Sequence, residues 1–202
     1  LYNDNISADN IVVLPGAQTG MTLTAQALLH AGDHAIIVTP SYQSLEDSAK
    51  LAGCEVTRVA LSPDDNWRLN IIAIESAIKD NTKYIALNDP HNPSGALMDV
   101  ETKTALCKVA EKHQLVILSD EVYRLLEIDP EERSASMADT SKNALALSTM
   151  SKPWGAGGTG IGWIACQDQI LCDKLRRAQH IYAVCFSRAG EIQTMMVLRC
   201  SD

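Results

Sequence analysis

The chain has 202 residues, 46% of them hydrophobic and 21% charged, the balance of a folded globular protein and not of a disordered one. Its 17 basic and 25 acidic residues leave a net charge of −8, which argues against a basic nucleic-acid-binding face. The longest apolar runs, 11–14 and 35–38, are far too short to cross a membrane, so neither nucleic acid nor a bilayer is an expected partner.

Short apolar runs alternate along the chain with amphipathic segments. The runs predict strands at 11–14, 35–39, 56–60, 84–87, 115–119, 144–148 and 161–165. Most are largely apolar, as strands buried on both faces should be, whereas 56–60, which contains Thr57 and Arg58, reads as an edge strand. Between them, helical spacing predicts helices at 18–29, 44–52, 71–79, 100–113 and 169–183. In 100–113, Leu106, Val109 and Ala110 recur on one face, and Asp99 suits the N-cap. The alternation specifies one α/β domain, with three α/β/α layers around a mostly parallel, seven-stranded sheet.

Six scattered cysteines form no CxxC pair, which predicts reduced, mostly buried thiols of a cytoplasmic protein and no metal site. The cluster Lys174-Leu-Arg176-Arg177 reads as a solvated helix face. Gly155-Ala-Gly157-Gly-Thr-Gly160 satisfies GxGxxG, but a strand is predicted after it where dinucleotide binding needs a helix. We therefore reject a nicotinamide or flavin site.

In such sheets ligands collect beyond the carboxyl ends of the strands. Five of those ends carry polar chemistry: Gly16-Ala-Gln18, Tyr42, Asn88-Asp-Pro-His-Asn-Pro-Ser-Gly95, Asp120-Glu-Val-Tyr123 and Thr149-Met-Ser-Lys152. Asp120 at a strand tip is either a helix cap or a functional carboxylate. Lys152, between a strand end and a glycine-rich loop, is expected in a partly desolvated pocket that lowers its pKa and frees a nucleophilic amine. His91 is expected to organise its turn, the remaining histidines to be surface or cap residues, and Trp154 and Trp163 to pack the glycine loop.

Taken in order, these segments resemble the fold type I enzymes dependent on pyridoxal 5′-phosphate (PLP), specifically the class I/II aminotransferases. Asn88-Asp-Pro-His-Asn-Pro-Ser-Gly95 is similar to the family signature NxPHNP[ST]G, and Ser119-Asp-Glu-Val-Tyr123 to its [SD]-[DE]-x-x-Tyr strand end. Ser151-Lys-Pro-Trp-Gly155 through Ile161-Gly-Trp163 resembles the lysine loop, Pro15-Gly-Ala-Gln18 the entry to the phosphate-binding helix, and Pro40-Ser-Tyr42 the segment of the ring-stacking aromatic.

The resemblance implies roles for each. Lys152 would hold PLP as a Schiff base and shuttle a proton. Asp120 would keep the pyridine nitrogen protonated, and Tyr123 and Asn92 would bond the ring's 3′ oxygen. Tyr42 would stack on the ring. Gly16, Ala17, Gln18 and Thr149 would bind the phosphate. Where the family usually places a phosphate-clamping arginine, eight residues after the lysine, this chain has Gly160. Arg188 is the candidate substitute, unless it pairs within its own helix with Glu191.

The implied activity is transfer of an amino group between an amino acid and a 2-oxo acid, in a homodimer. A PLP-dependent lyase or amino-acid oxidase of the same fold, and a non-catalytic PLP-binding sensor domain of a GntR-type regulator, are the alternatives. The start at Leu1 without an initiator Met, and a stop at Asp202 inside an apparent helix, fit residues 1–202 as the PLP-binding large domain, without its N-terminal arm and C-terminal small domain.

Overall fold

The computed structural model describes residues 1–183 and 185–201. Seven strands form at β1 (Ile11–Leu14), β2 (His34–Thr39), β3 (Glu55–Ala60), β4 (Thr82–Asn88), β5 (Val116–Asp120), β6 (Ala144–Thr149) and β7 (Gly162–Ala165). They make one sheet in the order β1-β7-β6-β5-β4-β2-β3. β2 through β6 pair in parallel, and β7 alone runs against its neighbours β6 and β1. The polar strand β3 lies at the edge, as its composition predicts.

Alternate residues of the central strands point to opposite faces, and helices cover both. Tyr84 and Ala86 face the layer of α1 (Ala17–Leu28), α2 (Gln43–Leu51) and α6 (Gln169–Tyr182). Ile85 and Leu87 face α3 (Ile71–Ala77), α4 (Val100–Lys112) and the short α5 (Met137–Thr140). Ile36, Ile85, Leu106 and Ile117 are fully buried, each stabilising the fold by roughly 1.5–3 kcal/mol. Asp99 caps α4, its side chain accepting from Thr102 N at 2.7 Å. α7 (Arg188–Arg199) follows, with Ser187 as its cap, accepting from Gly190 N at 3.1 Å.

Several sequence expectations need correction. β7 begins at Gly162, one residue later than expected, because Ile161 belongs to the loop. α5 escaped the periodicity because it is only four residues long. His34 is not a surface residue: it is fully buried in β2, its two ring nitrogens bonded to Thr82 and Thr57 hydroxyls at 2.7 and 2.8 Å. Burial pushes its pKa down. The antiparallel β7 has a positional consequence. It brings Gly162 opposite both Thr149 of β6 and Leu14 of β1, so five strand ends open on the same side.

Candidate active site

The centre of that side is Asp120. Pairing of β4 with β5 sets Asn88 opposite it. Asn88 uses both ends of its amide: Nδ2 donates to Asp120 O at 2.7 Å, and Oδ1 accepts from Asn92 N at 2.5 Å. A single side chain thereby ties the strand bearing the carboxylate to the turn bearing Asn92. His91 braces the turn from the other side, as expected of it. Its Nε2 donates to Pro40 O at 2.7 Å, which leaves Nδ1 to accept from Ser94 Oγ at 2.6 Å. The Asn92–Pro93 bond in this turn is cis.

The Asp120 side chain is almost completely buried, and its one resolved partner is Val122 N, which donates at 3.3 Å. Burial therefore pushes its pKa up to about 7; the Val122 N–H opposes this, the neighbouring Glu121 adds to it, and Lys152 opposes it. Lys152 Nζ lies 5.4 Å from the centre of the Tyr123 ring. The lysine itself is exposed, so the desolvated pocket expected for it is not formed by this chain. The reason is local: it sits in a turn outside the sheet, with open space beside Gly155 and Gly158.

A second cluster forms where β1 enters α1. Gly16 caps the helix at φ +86°, a left-handed conformation that favours glycine, and nothing lies within 4 Å of where its Cβ would be. The N–H groups of the first helical turn, Ala17 and Gln18, have no intrahelical acceptor and carry the positive end of the helix dipole. Gly162 lets this turn sit close to the sheet, since a Cβ there would fall 2.8 Å from Ser148 O and 2.9 Å from Ala17 N. The Gln18 side chain accepts from Ser44 Oγ at 3.0 Å and joins α1 to α2, which Tyr42 precedes with its ring 46% exposed.

Thr149 is buried, donating to Ile161 O at 3.2 Å with Ser151 Oγ 3.1 Å away. Gly157–Thr159 forms a 3-10 turn that leads into β7, so a strand follows the glycines, as the sequence predicts. Gly160 ends that turn at φ +64°. Gly190 of α7 abuts Thr159 O, so Arg188 begins a helix seated beside Gly160. Its guanidinium is 82% exposed and donates to Glu191 Oε2 at 2.8 Å.

The chain matches the family model "Aminotransferase class I and II" over residues 2–199. The chain belongs to this family. An aspartate aminotransferase of Sulfolobus acidocaldarius is 29% identical over 184 residues, 90% of this chain and 46% of that enzyme. An arginine–pyruvate transaminase of Pseudomonas aeruginosa is 34% identical over 160 residues, 79% of this chain and 41% of its own length. A crystal structure of a PLP-dependent aminotransferase from Streptococcus suis aligns with a TM-score of 0.91 at 28% identity, over 98% of this chain and 52% of that one. The chain thus spans about half the length of the relatives it matches.

Class I and II aminotransferases use PLP, and the residues present fit that group. A buried carboxylate whose pKa is raised to about 7 suits a partner carrying a ring N–H⁺, and an open left-handed glycine at a helix N-terminus suits a phosphate. An open cleft of about 990 Å3 begins at Asn92 and Tyr123 and runs along Leu126, Ile128 and Glu131. Asp120 and Lys152 do not line it, so it adjoins the candidate site without being its centre.

Sequence reasoning missed two groups in this chain. Tyr2 reaches back to accept from Trp163 Nε1 at 2.8 Å, and burial raises its pKa. A buried cluster of Asp89, Lys103 and Glu121 lies behind Asp120. Lys103 shares the apolar stripe of Leu106 and Ala110 on α4, and a lysine at such a position was the available signal.

Proposed function

We propose that residues 1–202 are the cofactor-binding large domain of a PLP-dependent aminotransferase that moves an amino group between an amino acid and a 2-oxo acid. The observation that carries this reading is Asp120: a carboxylate buried in a sheet, with one N–H partner and a pKa near 7, beside an exposed lysine. Bound PLP supplies an electron sink for the carbanion formed at the substrate Cα. Asp120 would hold the proton on the ring nitrogen, and Lys152 Nζ would attach the cofactor and move the proton at Cα. Tyr123 and Asn92 would donate to the ring oxygen, and Tyr42 would cover one ring face and exclude water. The free N–H groups of Ala17 and Gln18 would bind the phosphate in the turn that Gly16 opens, the Gly16 N–H itself donating to Leu14 O at 2.8 Å, and Thr149 would join them by turning its hydroxyl proton away from Ile161 O. Arg188, beginning the helix beside Gly160, would add the cation that Gly160 lacks.

We further propose a cytoplasmic homodimer. Every cysteine among the described residues is free, which suits a reducing compartment. No helix among them is long and apolar enough to cross a membrane. Ile181, Tyr182, Ile192, Met195 and Met196 are exposed at the end of α6 and along α7, an apolar surface suited to a second copy.

The test uses the full-length protein reconstituted with PLP. A visible absorbance band is expected in the wild type and is lost in Lys152→Ala. An amino-acid panel, assayed with and without added 2-oxo acid, then separates transfer from elimination or oxidation. A wild type without the band, or products that form equally well without the oxo acid, would overturn the reading.

A further inference from the structure

Lys103 lies on the buried face of α4, its side chain only 5% exposed. An ammonium has three N–H donors, and this one has three acceptors. Nζ lies 3.1 Å from Asp89 Oδ2, and it donates to Ser134 Oγ at 2.8 Å and Ala135 O at 2.7 Å. These acceptors belong to two separate segments, and both carry candidate site residues. Asp89 is in the 88–95 turn with Asn92, where its other oxygen accepts from Met98 N at 3.0 Å and its own N–H donates to Asp120 O at 3.0 Å. Ser134 and Ala135 close the loop that leaves β5 with Tyr123. Arg124 Nη1 donates to Ser134 O at 2.8 Å, and Glu121 Oε1 accepts from Met137 N at 2.7 Å.

We propose that Lys103 is a positioning residue for the candidate active site, a buried tie that sets the separation of Asn92 from Tyr123. The proposal rests on the function proposed above only for its consequence at the cofactor. The tie itself is a property of this chain. Its charge is matched: the ammonium faces Asp89 at contact distance, and Glu121, buried with Oε2 unpartnered, stands behind it. Burial raises the pKa of Glu121 and Lys103 opposes that shift. A buried pair of this kind contributes less to net stability than its short distances suggest, because both ions are desolvated. Geometry that a hydrophobic replacement cannot reproduce is then its remaining use.

The experiment compares Lys103→Met with the double variant Lys103→Met/Asp89→Asn, which removes both charges together, in the full-length protein. Hydrogen exchange of the apo-protein tests the tie without any cofactor: faster exchange is expected in 88–98 and 121–137 for both variants, with α4 still protected. With PLP, both variants are expected to shift the pH midpoint of the visible band and weaken cofactor affinity about tenfold, although the double variant regains the wild-type melting temperature. Unchanged exchange in the two segments would overturn the tie. Wild-type exchange, affinity and midpoint in a double variant with restored stability would reduce Lys103 to a stabilising residue and overturn the proposal. If neither variant folds, the pair holds the fold and not the site, and the proposal also fails. Exchange that responds in a wild type unable to bind PLP would uphold the tie and remove the functional reading alone.

Discussion

The two halves of the candidate site are built differently. On one side Asp120, Asn88, His91 and Thr149 are buried, and each has a hydrogen-bond partner supplied by the chain. On the other side Lys152, Gln18 and Tyr42 are exposed, and Gly16, Gly155 and Gly160 have open space where a side chain would stand. The buried half is preorganised, its polar groups fixed before any ligand arrives. The exposed half presents groups whose free ends await one. Substitutions in the buried half should therefore change chemistry and stability together, whereas those in the exposed half should change ligand affinity with little effect on the fold.

Asp120→Asn tests the buried half most severely. Its carboxyl is raised from the ordinary 3.8 to about 7, so the folded chain holds this proton more tightly than the unfolded one. The apo-protein therefore loses stability as pH rises from about 4 to 7, and none of this loss is present below that window. Asparagine keeps an oxygen for Val122 N–H but carries no charge. Above pH 7 the apo-variant is expected to be more stable than wild type by on the order of 1–4 kcal/mol, the carboxylate's desolvation being partly replaced by the amide's. Transamination is expected to fall by more than about 100-fold, the range for removing a group that holds a proton in the reaction. Urea unfolding at pH 5 and pH 8, read beside turnover, checks both. A variant that loses stability at pH 8 would show that the buried carboxylate is held by partners the structure lacks.

Gly162→Ala probes the boundary between the halves. A Cβ there would approach Ser148 O and Ala17 N within 3 Å, and both are backbone atoms that cannot rotate away. Overpacking of this kind costs about 1–3 kcal/mol. The displaced atoms belong to the turn that opens α1, so PLP affinity is expected to fall about tenfold along with the melting temperature. Equilibrium dialysis and thermal unfolding measure the two. Lost stability with unchanged affinity would separate the α1 turn from the phosphate.

The same contrast explains what the sequence made legible. Strands such as β4 and β5 are apolar runs buried on both faces, and their strong pattern carried the topology and the polar ends beyond it. Asp120 and Tyr123 are legible as candidates because they stand at and just beyond such a run, whereas Asn92 is singled out by the family signature its turn resembles. Lys103 was missed because it stands within a helix, where a lysine is usually solvated, and its partners Asp89 and Ser134 lie 14 and 31 residues away. His34 was misread for a similar reason: its partners Thr57 and Thr82 come from β3 and β4, which only the sheet order brings to either side of it. The exposure of Lys152 was also illegible, since local sequence records the strand before it but not what covers the loop.

Arg188 gives the smallest effect and the finest division between the halves. In the apo-chain its guanidinium pairs with Glu191 one helical turn away, an exposed pair that contributes under about 1 kcal/mol. Its helix nevertheless begins beside Gly160, where Gly190 abuts Thr159 O. If the pair is a resting arrangement, the guanidinium must exchange one anion for another, and Glu191 competes with the phosphate. Arg188→Ala is then expected to weaken PLP binding about two- to fivefold at low salt, with the difference fading as added salt screens an exposed charge. Glu191→Ala should tighten binding by a comparable factor, because it removes the competitor and keeps the cation. Neither variant should move the melting temperature by more than about 2 °C, given so small a contribution to stability. Opposite changes in affinity from the two variants would assign Arg188 to the phosphate, whereas equal affinities in both would make it a surface ion pair and leave neutral N–H and hydroxyl donors to hold the phosphate at that end.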